Sequence, residues 1–575
     1  MATFRIEYEG GGRNDCKYLL PINGNCGFNL EKNYKGAMTL KTKSAIVILI
    51  IVLFALSACS SKTNDPSKTP ASNNVQASPT ASGGTLKIAV GALPATLDPH
   101  STTAAITGYS ARQIYEALVT VNSRFEVVPM LAKSYEISKD GKIVTFILRQ
   151  GVKFHNGKEM KAEDVVASMQ KWQKTATAGK TSLGNSTWEV KDDYTVVLHV
   201  ETPSYVLMFS LAEMIQFAAI MPKEVVQGAD ATGVKEYIGT GPFQYKELKP
   251  NQYLLLTKFK DYQPQSATSA EVGTFLDGLS GKKEALVDEL YIYNVPDSST
   301  AINGLVSGQY DVVQNINLDA LPQIDNNKNI VQVIYPAGNT NLLFNNKQGL
   351  FANVKARQAV NMALDKKAIM AASFTKPEYY RLHPGLMGKD QTAWYVDSGK
   401  ENYSKYDVGQ AKQLLKEAGY NGEEVRIIVP TGYPVIYNTS VATQQQLQQI
   451  GMKVKLDVID FSTWLERRAK PDQWEMFVSQ YNVKSTPVEF PFLDSKANYP
   501  GWTNSPEIDK LLTKIRASTS QSEAKVAFTE LQKVFWDEYP VLVIGETMQI
   551  DAISNKVKGY KNFNGPLYWN TSITR

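Results

Sequence analysis

Residues that could carry acid–base, nucleophilic or metal chemistry are few in this sequence. It contains four histidines, and none stands at the i, i+4 spacing that lets two imidazoles bind one metal from a helix face. No nucleophile elbow, phosphate-binding loop or complete dinucleotide fingerprint is present, and adjacent carboxylates occur in polar, turn-like stretches. The sequence therefore predicts no enzyme, no metal site and no cofactor.

The four histidines are expected to have different roles. His199 belongs to an alternating strand pattern that predicts an outward-facing side chain. His155 precedes Asn156-Gly157, a typical turn pair, which favours a structural role for it. His100 and His383 stand in predicted loops, from which either imidazole could reach a cleft.

The front of the chain has the order of a targeting signal. The apolar run 45–56 follows two lysines and is too short for a permanent membrane span. The next residues, Leu56-Ser57-Ala58-Cys59, resemble the lipobox of bacterial lipoproteins, and this implies that Cys59 is acylated and becomes the new N-terminus. Cleavage there would remove Cys16 and Cys26, so the mature chain would have no thiol for a disulfide, a nucleophile or a zinc site.

Three segments are predicted before the folded body. Residues 1–37 show no regular period, and Met38 makes a better start, so we expect 1–37 to come from a misassigned start codon. Residues 38–58 are the predicted lipoprotein signal peptide. Residues 59–83 are rich in Ser, Thr, Asn, Pro and Ala, a composition that predicts a flexible tether.

Length and composition limit the possible protein classes. The 575 residues suffice for two or three domains, and 43% hydrophobic with 20% charged residues is the balance of a folded globular protein. The formal net charge is +5, with no stripe of Lys and Arg. Binding to nucleic acid is therefore not expected.

Strand and helix patterns alternate along the body, which predicts the α/β class. Apolar residues recur at every second position in 86–90 and 194–200, as in half-buried strands. Residues 408–418 have a helical period, with Asp407 as the expected N-cap and Gly419 as the expected stop.

Several motifs, in a fixed order, resemble the family-5 extracellular solute-binding proteins, the oligopeptide-, dipeptide- and nickel-binding components of bacterial ABC importers. Each motif is weak alone, but together they span about residues 84–575. The motifs are Gly84-Thr85-Leu86-Lys87-Ile88-Ala89, Thr96-Leu97-Asp98-Pro99, Val152-Lys153-Phe154-His155-Asn156-Gly157, Gly239-Thr240-Gly241-Pro242-Phe243, Arg357-Gln358-Ala359-Val360-Asn361 and Leu414-Leu415-Lys416-Glu417-Ala418-Gly419-Tyr420.

This resemblance implies two lobes joined by a hinge, with an extra subdomain in the first lobe. The protein would capture a small solute, peptide or peptide-like, between the lobes and deliver it to the permease of an ABC importer. It would act as a monomer outside the cell, held to the membrane by lipid on Cys59. The implied boundaries are 84–125, 236–338 and 545–575 for the first lobe, 126–235 for the extra subdomain and 339–544 for the second lobe, with hinge strands near 335–341 and 541–546.

One departure from the family bears on the ligand. Relatives that bind peptides commonly place an Asp against the free amino group of the peptide, just after the strand that matches residues 474–479. In this sequence no acid stands between Glu475 and Glu489. Because a buried ammonium without a counter-charge is costly, a peptide with a free N-terminus is less favoured unless a Glu elsewhere replaces that Asp.

Eight residues are candidates for contact with the ligand because the resemblance places them at the hinge or in cleft loops. Arg381 would hold an anionic group as a bidentate clamp, and the tryptophans would offer stacking surfaces. The candidates are Thr340, Asn341, Arg381, His383, Tyr481, Asn482, Trp502 and Trp569.

Other functions remain open at this point. A surface sensor could pass ligand occupancy to a membrane receptor instead of an importer. The solute could also be an oligosaccharide, an opine-like compound or a metal chelate. An extracellular hydrolase would require a catalytic group that the sequence does not reveal.

Overall fold

A computed structural model describes residues 83–265 and 277–574. The predicted extension 1–37, the signal segment 38–58 and the lipidation residue Cys59 lie outside the described residues, as does the tether 59–83 apart from Gly83. Within the described ranges, no helix combines the length and the apolar character needed to cross a bilayer.

The strands vary from two residues to fifteen. They are β1 (Thr85–Val90), β2 (Val119–Val121), β3 (Val127–Pro129), β4 (Ala132–Ile137), β5 (Ile143–Leu148), β6 (Thr187–Asp192), β7 (Thr195–His199), β8 (Phe243–Lys249), β9 (Tyr253–Lys258), β10 (Glu289–Asn294), β11 (Val312–Val313), β12 (Ile330–Phe344), β13 (Tyr380–Arg381), β14 (Glu424–Pro430), β15 (Lys453–Ile459), β16 (Met476–Asn482), β17 (Val541–Ser554), β18 (Val557–Lys558), β19 (Lys561–Asn562), β20 (Pro566–Leu567) and β21 (Ser572–Ile573).

The helices are interleaved with the strands along the chain, which confirms the α/β class. They are α1 (Ala105–Ala111), α2 (Ala162–Thr175), α3 (Thr177–Leu183), α4 (Leu207–Leu211), α5 (Lys223–Gln227), α6 (Ser298–Ser307), α7 (Val354–Ala363), α8 (Lys366–Ser373), α9 (Lys400–Tyr403), α10 (Val408–Glu417), α11 (Pro434–Gln449), α12 (Phe461–Arg468), α13 (Pro506–Ala517) and α14 (Gln521–Glu538).

One sheet of eleven strands organises the body. Its order is β15-β14-β16-β12-β17-β11-β1-β10-β9-β8, and β13 pairs with β17 beside that path. Strands β12 and β17, with fifteen and fourteen residues, are antiparallel neighbours near the middle of this order. The segments predicted as hinge strands, 335–341 and 541–546, lie within these two strands.

A second, antiparallel sheet with the order β4-β5-β7-β6 is formed within residues 126–235. In β5 the side chains of Val144, Phe146 and Leu148 are buried while Ile143 and Ile147 are exposed. This period of two is the pattern of a sheet with one face on a core and one face in water.

The apolar side chains form two large buried clusters. The first surrounds β1, β5, β7, β10 and α2, and includes Leu86, Phe146 and Trp172. The second surrounds β12, β14, β16, β17 and α14, and includes Phe344 and Phe528. Each fully buried large apolar side chain contributes roughly 1.5–3 kcal/mol, so each cluster stabilises the strands and helices that surround it.

The ends of the helices follow local sequence signals. The side chain of Asp407 accepts a hydrogen bond from the N–H of Gln410 at 2.9 Å and caps α10 as predicted. The helix ends at Glu417, and Gly419 follows with a φ of 87°. Glycine adopts that left-handed conformation without the steric cost that other residues have.

Candidate functional site

Four side chains form a row across neighbouring strands of the large sheet. In the register of the sheet, Asn339 of β12 lies opposite Tyr481 of β16 on one side and opposite Glu546 of β17 on the other. On the far side of β17, Glu546 pairs with Arg381 of β13. Directly opposed residues share a face of a sheet, so these four side chains lie on one face.

This row borders a narrow cavity that has room for about one water molecule. Its walls come from β12, β16 and β17, from the loop that follows β13 and from the loop that follows β16. The lining residues are Gly338, Asn339, Leu386, Gly388, Gln391, Tyr481, Asn482, Val483, Lys484, Phe490 and Glu546.

Two amide side chains hold the cavity walls in place. The Asn339 amide donates to the carbonyl of Leu386 at 2.8 Å. The Gln391 amide donates to the carbonyl of Lys484 at 2.5 Å, and its oxygen accepts from the N–H of Gly388 at 2.8 Å. These hydrogen bonds fix the loops after β13 and β16 on either side of the cavity.

Gly338 allows β12 and β16 to approach each other beside the cavity. Its φ is 130°, and a Cβ atom there would lie 1.8 Å from the carbonyl oxygen of Tyr481. No other residue fits this position without displacing the strand that carries Tyr481.

Glu546 is the one acidic residue that lines the cavity. It is only 2% exposed, and its Oε2 accepts no hydrogen bond from the described residues. The Arg381 guanidinium lies 3.6 Å away, but it is held by Asp390 at 2.5 Å. Burial raises the pKa of Glu546 to about 7.

His383 faces the same carboxylate without bonding to it. Its Nδ1 accepts from the N–H of Gly385 at 3.2 Å, which places the proton of the neutral ring on Nε2. That Nε2 lies 3.9 Å from Glu546 Oε2, beyond hydrogen-bonding distance. Burial lowers the pKa of His383 to about 4, so the ring is neutral and adds no counter-charge.

The structure brings together four of the eight residues predicted to contact a ligand. Tyr481 and Asn482 line the cavity, and Arg381 and His383 lie beside Glu546. Thr340 and Asn341 follow Asn339 on β12 and are buried. The Thr340 hydroxyl bonds to Thr547 at 2.7 Å, which directs it away from the row.

The two predicted stacking tryptophans do not line this cavity. The Trp502 ring stacks on Trp474 with centroids 5.4 Å apart. Trp569 is fully buried in the first apolar cluster, and the Lys283 ammonium lies 4.6 Å from its ring centroid. Both rings therefore have packing partners within the protein.

A second enclosed space lies beside Trp569, and its charges are matched by neighbours. Glu116 accepts from Thr240 at 3.1 Å and from Tyr262 at 3.0 Å, and the Lys283 ammonium is 3.6 Å away. The charge of Glu116 is therefore paired, which is the usual state of buried charges in a core.

The remaining histidines lie elsewhere in the protein. His155 Nε2 is 3.0 Å from the carbonyl of Gly241, and its Nδ1 accepts from the N–H of Gly239, which confirms a structural role. His199 is exposed beside Glu189, as predicted. His100 is buried close to Asp98 and away from the cavity. Within 83–265 and 277–574, no cluster of three or more His, Cys, Asp or Glu could hold a metal ion.

Sequence reasoning missed Glu546 and Asn339. The signal for Glu546 was available, because it is a lone acid in the apolar run Val541-Leu542-Val543-Ile544-Gly545-Glu546. An acid inside a buried strand is rare unless it is paired or functional. Asn339 had no such signal, because strand register alone places it between Tyr481 and Glu546.

Comparison with known families identifies the class of fold that carries this cavity. The family model described as "Bacterial extracellular solute-binding proteins, family 5 Middle" matches residues 126–502. That match covers more than half of the chain and confirms the family resemblance of the motifs.

Curated relatives align over most of their length. A "Probable peptide ABC transporter periplasmic-binding protein" of Sinorhizobium fredii is 29% identical over 497 residues, which cover 82% of this chain and 90% of the relative. The dipeptide-binding protein of Escherichia coli is 26% identical, over 76% of this chain and 84% of the relative.

A solved structure shows the same two-lobed fold. The ABC transporter substrate-binding protein CtaP of Listeria monocytogenes superposes with a TM-score of 0.73 at 21% identity. The match covers 83% of this chain and 95% of that one. At this level of identity the likeness concerns the fold alone.

Proposed function

Because the chain belongs to the family-5 bacterial extracellular solute-binding proteins, whose members serve ABC importers, we propose that it captures a peptide-type solute in the cavity beside Glu546. The observation that carries this proposal is the position of the cavity. It lies where β16, β12 and β17 run side by side, and β12 and β17 contain both segments predicted as the hinge. A ligand there would contact the strands that bend when the lobes close.

The side chains around the narrow cavity are of the kinds that contact a peptide, and we expect the space between them to widen when the lobes open. Tyr481, Leu386 and Phe490 supply apolar surface, and Asn482 offers an amide at the exposed rim. Such a mixture of aromatic walls and a few polar groups is typical of sites for small ligands.

Contacts outside the cavity favour a closed form of the protein. Tyr205 and Phe209, from the predicted extra subdomain, contact the Trp394 ring of the predicted second lobe, with centroids 6.3 and 5.7 Å apart. The N–H of Tyr205 also donates to the carbonyl of Arg516 at 3.0 Å. We expect these contacts to break in an open form and the bound solute to shift the population toward the closed one.

Delivery to the importer requires no chemistry on the solute. We propose that the protein catalyses no reaction and that the permease receives the solute unaltered. We also propose that lipid on Cys59 anchors the protein, a monomer, to the outer face of the membrane, which would hold it near the permease.

Native mass spectrometry of the purified protein tests this function. The protein would be isolated from cells grown on a peptide-rich medium, then denatured, and any released compound identified. We expect one equivalent of an intact peptide. A hydrolysed peptide that accumulates with time, or a bound compound that is not peptide-like, would contradict the proposal.

A further inference from the structure

We propose that the turn formed by residues 391–395 couples the wall of the cavity to the contact between the predicted extra subdomain and the predicted second lobe. Through this turn, closure of the lobes and the shape of the solute site depend on one short segment. This coupling rests on the proposed function, since it names the residues that control closure around the solute. Neighbouring residues of the turn make hydrogen bonds and ring contacts in both directions.

The first residue of the turn belongs to the cavity wall. Gln391 is 4% exposed, and its side chain bonds to the carbonyl of Lys484 and to the N–H of Gly388, which also line the cavity. The carbonyl of Gln391 accepts hydrogen bonds from the N–H groups of Trp394 at 2.9 Å and Tyr395 at 2.7 Å. These two bonds close the turn, so a displacement of Trp394 is transmitted to Gln391.

The aromatic ring of the turn contacts two parts of the protein. Trp394 is fully buried, and its ring centroid lies 6.3 Å from that of Tyr205 and 5.7 Å from that of Phe209. The same ring also contacts Phe528 of α14, with centroids 6.1 Å apart. Tyr205 and Phe209 come from the predicted extra subdomain and Phe528 from the predicted second lobe, so the Trp394 ring connects the two.

Gln521, the first residue of α14, connects the same two parts through hydrogen bonds. Its side-chain N–H group donates to the carbonyl of Ala393 at 2.6 Å, and its side-chain oxygen accepts from the Tyr205 hydroxyl. The backbone N–H of Tyr205 donates to the carbonyl of Arg516 at 3.0 Å. Tyr205 therefore contacts the turn through its ring and, by way of one amide, through its hydroxyl.

The predicted extra subdomain is joined to the predicted first lobe by buried charges. The Lys171 ammonium of α2 lies 2.6 Å from the Asp98 carboxylate, and these side chains are 9% and 0% exposed. The Arg112 guanidinium donates to the carbonyl of Met214 at 2.9 Å. Breaking a buried ion pair is costly, so the subdomain moves with the first lobe. Tyr205 therefore leaves the turn when the lobes open.

The turn itself stays with the second lobe when the lobes open. The Lys525 ammonium of α14 donates to the carbonyl of Thr392 at 2.8 Å. The N–H of Leu386 donates to the side chain of Gln532, also of α14, at 3.2 Å. These bonds hold residues 386–396 on α14 in both forms. Opening therefore removes the ring and hydroxyl contacts of Tyr205 and leaves the turn less constrained beside the cavity.

Hydrogen exchange of the whole protein, without added peptide, tests the coupling. Amide exchange in residues 386–396 is measured by mass spectrometry for the wild-type protein, Tyr205→Ala, Tyr205→Phe and the control Tyr194→Ala. Tyr194 is a half-buried tyrosine of the same subdomain, and it bonds to Glu159 and Lys161 there. Small-angle X-ray scattering of the same samples measures the radius of gyration, which rises with the population of the open form.

We expect the amides of residues 386–396 to exchange about tenfold faster or more in Tyr205→Ala than in the wild-type protein, and the radius of gyration to increase. The substitution removes one ring contact and one hydrogen bond that hold the turn. Tyr205→Phe keeps the ring contact and should show a smaller rise, and Tyr194→Ala should match the wild-type protein.

An unchanged exchange rate in Tyr205→Ala would overturn the inference. So would faster exchange without a larger radius of gyration, or an equal acceleration in β14, which would indicate that the whole protein is destabilised. Because neither measurement uses a peptide, these outcomes concern the coupling alone. The peptide function fails separately, if native mass spectrometry finds no bound peptide.

Discussion

Strand β17 carries two buried carboxylates that differ in the number of hydrogen-bond donors around them. Asp551, which is fully buried, faces four donors: Asn315 N–H at 2.9 Å, Tyr335 at 3.1 Å, Tyr560 at 2.7 Å and Asn562 at 2.9 Å. Glu546, five positions earlier on the same strand, is 2% exposed and its Oε2 has no donor among the described residues.

The two carboxylates differ in how far hydrogen bonds offset the cost of burying a charge. Burial raises the pKa of Asp551, and the surrounding donors oppose that effect. Its hydrogen bonds join β12 and β17 to the residues after β18, so they contribute to the packing of these segments. Glu546 is buried without matching donors, and this burial lowers the stability of the folded protein.

The largest expected effect comes from removing the satisfied carboxylate. Asp551→Ala would leave two hydroxyls, one amide and one backbone N–H without their acceptor. We expect the free energy of unfolding to fall by about 3–5 kcal/mol, measured by urea denaturation. A loss below about 1 kcal/mol would show that the network is not the stabilising feature described here.

Glu546→Gln should change the free energy of unfolding in the opposite direction. Removing a buried charge that lacks donors should raise the free energy of unfolding of the ligand-free protein by roughly 1–3 kcal/mol at pH 8. Urea denaturation measures it, with Glu424→Gln as the control. A destabilised Glu546→Gln would mean that the carboxylate has a structural partner and that the comparison with Asp551 is wrong.

The pH dependence of that gain follows from the pKa of about 7 for Glu546 in the folded protein, against 4.5 for an unperturbed Glu. Between these values the folded state retains a proton that the unfolded state has lost, so wild-type stability falls as pH rises. The advantage of Glu546→Gln should therefore be absent below about pH 4.5, grow up to about pH 7 and then stay constant. The wild-type protein and the variant have the same ionisable groups around position 546, namely Arg381, Lys389, Asp390 and His383.

Tyr335→Phe removes one donor from Asp551 and keeps the ring. Three donors remain, so we expect a loss of about 1 kcal/mol in urea denaturation. A loss as large as that of Asp551→Ala would show that Tyr335, which also bonds to Asn315 at 2.9 Å, has a larger role than one hydrogen bond.

Glu424→Gln should give the smallest change. Glu424 is exposed, and its nearest cation, Lys455, is 3.8 Å away. Exposed ion pairs of this kind contribute about 0–1 kcal/mol. A change above that range would indicate that removal of any glutamate alters stability. The effect of Glu546→Gln could then not be attributed to the burial of that carboxylate.

Local patterns in the sequence predicted much of the fold. The cap at Asp407, the stop near Gly419 and the α/β alternation follow from neighbouring residues, and the structure confirms them. Tyr481 and Asn482 were predicted from the family resemblance, which placed them in a loop, whereas the structure places them at the end of β16.

The rest of the cavity depends on strand register, which the sequence does not display. Thr340 was predicted from its place near the hinge, whereas the register of β12 directs its neighbour Asn339 toward Tyr481 and Glu546. One residue along a strand changes the face on which a side chain lies. The pairing of β13 with β17 is equally non-local, and it brings Arg381 next to Glu546.

A crystal structure of the protein with the peptide it binds most tightly tests the central claim most directly. We predict electron density for the peptide between β16, β12 and β17, in contact with Tyr481 and Asn482. A peptide bound elsewhere in the protein would contradict the account.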